Sequence, residues 1–558
     1  MTFLSYHTLR FTPLSPVHIG ADESYEPGNY VIDDSENALY SFDSQAAINS
    51  LEESDRQQLL RIVSGKPDQK MLTDVQAFFN KRRERLIGSA HLPILTADGI
   101  AELYRKRIGQ TAQHEGQGRR VINKLEIERT AYNPANNQPI LPGSSIKGAI
   151  RTALLDKENN NRQTAFKGEK NQKMQERLFE GKFATDPMRL ISIGDAFWQG
   201  DAQMPDRQIV FAVNRKREQV LKDGKEILSQ AERSNLYQLL ESLIVTDAAD
   251  FKGSLQIQRM QDLRQDDRKM PKADKQWQIK EIAEACNRFY FPLLRQEIEQ
   301  MQFRNLLCHS WIDQIENRLE QGLLKRMEKR EAFLLRVGRH SGAEGLTLNG
   351  ARKGNIKIMQ GKGQKPKYED KPKTWWLAAS NEKQTAAMQP FGWILVDIDP
   401  PEKIVSTAAN SELADWYQKQ QAKQNALKDQ ARQRMALVEQ RKQQAEQEAK
   451  LAQQKQAEQE RQDQLEQQRI ATLPPIEQDM IRLIKNKVDA NKKDYLVLLD
   501  AVENHTEWSD DDKKIVLQRI KEIMQSANDW RETSQKKKPE KDKPYQLTLK
   551  VKAMIEGL

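Results

Sequence analysis

Lys147 and Arg151 stand four residues apart behind a run of small residues, Pro142-Gly143-Ser144-Ser145. Four residues is about one helical turn, so the two cations share a face. Small residues ahead of a helix leave its first N–H groups open. Those groups, the positive helix end and a nearby lysine together suit a phosphate. Gly148 removes a side chain from the same helix and lets another backbone come close. Ser144 or Ser145 is the expected N-cap. Ile146, Ala149, Ile150, Ala153 and Leu154 recur at helical spacing and form a buried face. A capped core helix with a solvated basic face has the same pattern, and the segment does not match the GxxxxGKS/T phosphate loop.

A second group lies at Arg336-Val337-Gly338-Arg339-His340-Ser341-Gly342-Ala343-Glu344-Gly345. It reads as a strand running into a glycine-punctuated turn that carries two arginines and a histidine. Residues 336–373 hold ten Lys or Arg, Lys353 among them, against three Asp or Glu, a local excess of seven. Trp375, Trp376 and Trp393 follow. Cations near aromatics are what phosphate contact and base stacking need, although a charged hairpin with core tryptophans reads the same way. A third candidate is His18, inside Val17-His18-Ile19-Gly20. It could serve as a general base on a ribose hydroxyl, but a histidine between Val and Ile is more often a structural hydrogen-bonding residue. No Ser/His/Asp elbow, HExxH or kinase set is present.

The whole composition agrees with an anionic partner. The 558 residues carry 89 Lys and Arg against 80 Asp and Glu, a net charge of +9. That balance favours nucleic acid first and an anionic membrane second. No apolar run approaches the roughly 18 residues of a spanning helix, and the start lacks the charged-then-apolar pattern of a secretory leader. Two cysteines, Cys286 and Cys308, are too few for a disulfide framework or a four-thiolate zinc site. The seven histidines are scattered, so no metal and no cofactor is expected. The expected setting is reducing cytoplasm.

The elements that must position these residues read as α+β. Leu9 and Phe11 alternate with Arg10 and Thr12, a strand that Pro13 and Pro16 end. Residues 30–32 and 39–42 form a hairpin, and residues 51–110 are mostly helical. Strands are expected near 188–193, 209–213, 332–337, 356–359, 375–378 and 391–398, with a helical stretch over 276–329. Residues 411–470 contain no Gly or Pro and are dominated by Gln, Lys, Glu, Arg and Ala. Their apolar positions Leu427, Leu437, Val438, Leu451 and Leu465 hold no heptad, so a long polar helix fits better than a coiled-coil seam. Pro474-Pro475 ends it, and amphipathic helices follow.

Several of these segments, taken in order, resemble the RAMP superfamily of CRISPR-associated proteins. The resemblance rests on residues 12–20 (Thr-Pro-Leu-Ser-Pro-Val-His-Ile-Gly), Tyr25-Glu26-Pro27, residues 141–154, residues 336–342 and Pro390-Phe391-Gly392-Trp393. It is strongest to the subunit of type III-A (Csm) effector complexes that caps the 3′ end of the guide RNA. It spans about residues 9–398; the remainder inherits nothing from it. The resemblance implies tandem RAMP domains, ferredoxin-like and similar to the RNA-recognition motif, with helical insertions. The expected division is 1–200 and 201–400 for these domains and 401–475 for the long helix or linker. A small helical domain at 476–535 and a basic tail at 536–558 complete it.

The same resemblance implies a subunit that binds guide RNA and target RNA, docks on backbone RAMP subunits and is linked to 3′ maturation of the guide, without being an enzyme. No membrane or small-molecule substrate is expected. Lys147, Arg151, Arg336, Arg339 and Lys353 are the expected phosphate contacts. Gly143, Ser144, Ser145 and Gly148 give close backbone approach, and His18 and His340 shape the loops or touch RNA. Two rival readings remain. One is a RAMP endoribonuclease that cuts guide precursor, with His18 as base and Lys147 steadying the developing charge. The other is a scaffold that recruits a protein through its C-terminal helices.

Overall fold

A computed structural model describes residues 3–558, apart from 27, 111–112, 116–118, 122–124, 161–168, 201–204, 230–235, 246–249, 261–269, 351–355, 359–362, 402–410 and 505–506. Two compact units emerge, Met1–Arg434 and Met435–Leu558. The first is α+β, as the sequence predicts.

Strand Leu4–Pro13 lies inside the first sheet, between Phe251–Gln258 and Trp393–Ile398, antiparallel to both. Leu9 and Phe11 are buried and Arg10 is partly exposed, which is the alternation the sequence predicts. Ala332–Arg336 extends this sheet beyond Trp393–Ile398. Ala196–Trp198 and then Gln138–Leu141 extend it on the other side. The second sheet runs Gly20–Tyr25, Ile127–Thr130, Tyr237–Leu243, Arg207–Lys216, Ile94–Thr96, Ala38–Ser41 and Tyr30–Asp33, with Thr374–Ala379 also paired to Arg207–Lys216. The expected hairpin near residue 35 is its edge.

Both sheets draw strands from both halves of the sequence. The expected cut between residues 200 and 201 therefore runs through each of them, because sheet hydrogen bonds join residues some 240 to 390 positions apart. One hydrophobic core links the sheets to helices Gly143–Asn159 and Ile279–Phe303. The Tyr290 hydroxyl on the second helix donates to the Ala149 carbonyl on the first, at 3.0 Å.

Helix Ser411–Ala471 is 61 residues long, about 90 Å at 1.5 Å per residue. It is not a linker throughout, because its first turns belong to the first unit. Leu413, Tyr417, Gln420 and Gln424 are buried there, one turn apart. The Gln424 amide donates to the carbonyls of Ala90 and Ile87, and the Tyr40 hydroxyl donates to Gln420 at 2.9 Å. Farther along, Leu437, Val438, Leu451 and Leu465 are exposed.

The second unit has its own core, built from helices Pro475–Lys485, Asp494–Asn504, Asp510–Ser526 and Lys543–Glu556 around Leu498, Val516, Leu517, Ile520 and Val551. The expected basic tail at 536–558 is thus corrected in part. Its last turns are a helix, held because Val551 and Leu547 bury apolar surface that the lysine-rich composition masks.

Candidate nucleic-acid interface

Three of the segments singled out above meet at one point. The Gly392 N–H donates to the Pro16 carbonyl at 2.8 Å, and the Val337 N–H donates to the Gly392 carbonyl at 2.9 Å. The Arg339 N–H donates to the His18 carbonyl at 2.8 Å. Glycine is required at two of these contacts. A Cβ on Gly338 would collide with the His18 carbonyl, and one on Gly392 with that of Val337; both glycines have positive φ, +78° and +92°. Two hundred or more residues separate these loops in sequence, yet each closes a hydrogen bond the others leave open.

His18 is fully buried. Its Nδ1 lies 2.7 Å from the Glu241 carbonyl, which can only accept, so Nδ1 carries the proton. Nε2 is left buried without a hydrogen-bond partner among the described residues. Burial lowers the pKa to about 4, with the Arg339 charge adding to the effect. Such an imidazole is a weak base, shut away from a ribose hydroxyl, and the geometry speaks against the nuclease reading.

His340, at φ +64°, stacks on Trp376 with ring centres 4.7 Å apart and donates from Nε2 to Gln238 at 2.9 Å. Burial, with the Arg339 charge next, lowers its pKa to about 3. It shapes the turn. The two arginines have different roles. Arg336 is buried, paired to Glu297 at 2.8 Å and donating to the Phe391 carbonyl. Trp393 donates to the same Glu297 carboxylate at 2.9 Å. Arg336 is therefore a structural cation, and its expected role in phosphate contact is corrected, because a guanidinium inside this ion pair cannot reach a ligand. Arg339 is 40% exposed and pairs with Glu128 on the surface. A surface pair of this kind contributes about 0–1 kcal/mol, little enough for a phosphate to replace the carboxylate. Lys353 lies outside the described residues.

The helix Gly143–Asn159 forms the second part. It starts one residue earlier than expected: Pro142 is the N-cap and the Asp195 carboxylate accepts from Gly143 N–H at 2.8 Å, so neither serine caps it. The reason is steric, since a Cβ at Gly143 would collide with the backbone of Ile193 and Gly194. Ile146, Ala149, Ile150, Ala153 and Leu154 are buried as expected. Ser144 and Gly148 are exposed, and nothing lies within 4 Å of a Cβ at Gly148, so that backbone is open to a ligand. Ser145 is half-buried.

Arg151 pairs with Asp186 at 2.6 Å and donates to Gln175. Among the described residues Lys147 forms no ion pair. Burial, and then the Arg151 charge, lower its pKa. A partly buried cation beside another cation is stabilised by an added anion. Lys147 and Arg151 share their surroundings with Asp186, whereas His18, Arg336, Arg339 and His340 influence one another.

Sequence reading did not single out Glu241, Glu297 and Glu128. Fully buried, Glu241 pairs with Arg207 at 2.8 Å and accepts from the Thr130 N–H and the Tyr25 hydroxyl. Carboxylates are too common along the chain to stand out, and only strand register brings these to the cations. Among the described residues no group of three or more His, Cys, Asp or Glu side chains is placed to hold a metal. Nor is any described helix long and apolar enough to cross a membrane.

The RAMP superfamily model matches residues 10–339, more than half of the chain, and the chain belongs to that superfamily. Two solved structures are similar to it. One is a chain of a Csm–crRNA–target RNA ternary complex from a type III-A CRISPR-Cas system, 16% identical, with a TM-score of 0.41, covering 70% of this chain and 99% of that one. The other is T. onnurineus Csm5, 15% identical, with a TM-score of 0.41, covering 69% of this chain and 99% of that one. No curated protein matches.

Proposed function

We propose that this protein is a non-catalytic RNA-binding subunit of a type III CRISPR ribonucleoprotein, which caps the 3′ end of the guide RNA and takes part in its 3′ maturation. It holds the guide through phosphate and ribose contacts, without reading sequence, beside backbone RAMP subunits and the target RNA. The observation that carries this reading is the meeting of the His18, Gly338 and Gly392 loops beneath Arg339, which leaves one exposed guanidinium on a rigid glycine turn. The second cation, Lys147, has no acidic partner among the described residues and lies one residue from the bare backbone of Gly148. Membership in the RAMP superfamily supports RNA as the anion.

The test is purification of the assembled complex from cells expressing Lys147→Ala/Arg339→Ala, with sequencing of the RNA that co-purifies. Guides that are lost, or whose 3′ ends are shortened or ragged, are expected. A guide population identical in amount and length to that of the parent would remove both residues from the interface and with them the reading.

A further inference from the structure

Five lysines crowd into eight residues of the second unit: Lys536, Lys537, Lys538, Lys541 and Lys543. All five are exposed, and among the described residues none forms an ion pair. Many cations nearby do. Lys487 pairs with Asp494, Lys493 with Asp529, Lys492 with Asp500, Lys550 with Glu503 and Lys552 with Glu532. Of the two acids inside the run, Asp542 is fully buried and spent on the loop itself. It accepts from Arg531 at 3.1 Å, from the Gln535 N–H at 2.9 Å and from the Ser534 hydroxyl at 3.2 Å. The Gln546 amide closes the turn on the Pro539 carbonyl at 2.9 Å. The lysines therefore project from a tied loop rather than a loose tail, and less ordering entropy is lost when a ligand engages them. The positive end of helix Lys543–Glu556 adds to the same field.

We propose that this lysine loop is a second polynucleotide site, gripping the phosphates of single-stranded RNA. It lies outside the residues that match the RAMP superfamily. The inference rests on the proposed RNA-binding function for its choice of RNA; the charge pattern by itself specifies a chain of phosphates.

The test uses the full-length chain freed of RNA. Binding of labelled uridylate and thymidylate oligonucleotides is measured by anisotropy over a potassium chloride series. Single-strand affinity falls with salt by a slope of about 0.7 per phosphate neutralised. Lys537→Ala/Lys538→Ala/Lys541→Ala is therefore expected to flatten the slope by about 2 and to weaken RNA binding about tenfold at low salt. Thermal unfolding of this variant should match the parent, since the lysines are exposed and unpaired. The Lys→Arg triple variant should keep both slope and affinity. An unchanged slope in the alanine variant, a loss confined to thymidylate, or a loss in the arginine variant overturns the site. If the parent itself ignores RNA, the proposed function falls too. If Lys147→Ala/Arg339→Ala lowers RNA binding and the lysine-loop variant does not, this inference alone is wrong.

Discussion

A Cβ on Gly338 would stand 3.0 Å from the carbonyl carbon of His18 and closer still to its oxygen. The contact joins the first loop of the chain to one 320 residues later and sets where Arg339 points. At φ +78° an L side chain is strained whatever space surrounds it. Gly338→Ala is expected to lower stability by about 1–3 kcal/mol from backbone strain alone, with the clash added. Gly148→Ala is the contrast, because its Cβ would meet nothing and helical Gly costs about 0.5–1 kcal/mol relative to Ala. That variant should be as stable as the parent or more so, yet bind RNA less tightly. Chemical denaturation and an RNA titration on both check the pair.

Arg336 and Arg339 should separate cleanly. Arg336→Ala leaves Glu297 buried without its cation and should cost about 3–5 kcal/mol. Arg339→Ala breaks a surface pair, so stability should change by about 1 kcal/mol or less, while RNA affinity falls. Unfolding midpoints and binding curves, measured together, decide it; equal destabilisation by both variants would contradict the assignment.

Histidine titration gives a pH signature. His18 and His340 are held at about 4 and about 3, below the ordinary 6.5, so the unfolded chain takes up protons before the folded one does. The stability they contribute is complete above about pH 6.5 and is lost as pH falls toward 4. His18→Gln/His340→Gln should flatten that acid limb in urea midpoints taken across the range. RNA binding by the parent should show no histidine-like step between pH 6 and 8, about the range where an ordinary imidazole titrates.

Asp206 carries the opposite sign. Burial, with the Asp250 charge next, raises its pKa to about 7, and one carboxylate oxygen has no hydrogen-bond partner among the described residues. The folded state therefore favours its protonated form, and its contribution to stability, present at low pH, is lost as pH rises through about 7. Asp206→Asn should stabilise the protein above that pH and have little effect in mild acid, as thermal melts at two pH values would show.

Truncation should depend on where the long helix is cut. Ending the chain after Arg434 keeps Tyr417, Gln420 and Gln424 in place, and the first unit should melt near the parent temperature. Ending it at residue 404 removes those side chains and leaves the Tyr40 hydroxyl and the Ala90 carbonyl without their partners. A drop in melting temperature and weaker protection of residues 31–90 in hydrogen exchange are expected.

Much of this protein is legible in one dimension. The alternation of Leu9 and Phe11, the helical spacing from Ile146 to Leu154 and the glycine turns at 338 and 342 depend only on neighbours, and local sterics and burial read them directly. The positive charge and the long helix without Gly or Pro belong to the same class. The difference between Arg336 and Arg339 does not. Both sit in one motif, three residues apart, and only the placement of Glu297 and Glu128 by distant elements makes the first a core cation and the second a surface one. Gln420 and Gln424 look like solvent-facing glutamines until the carbonyls of Ile87 and Ala90 are brought beneath them. Tertiary structure decided these roles because charge and amide groups take their meaning from partners, and the partners here come from hundreds of residues away.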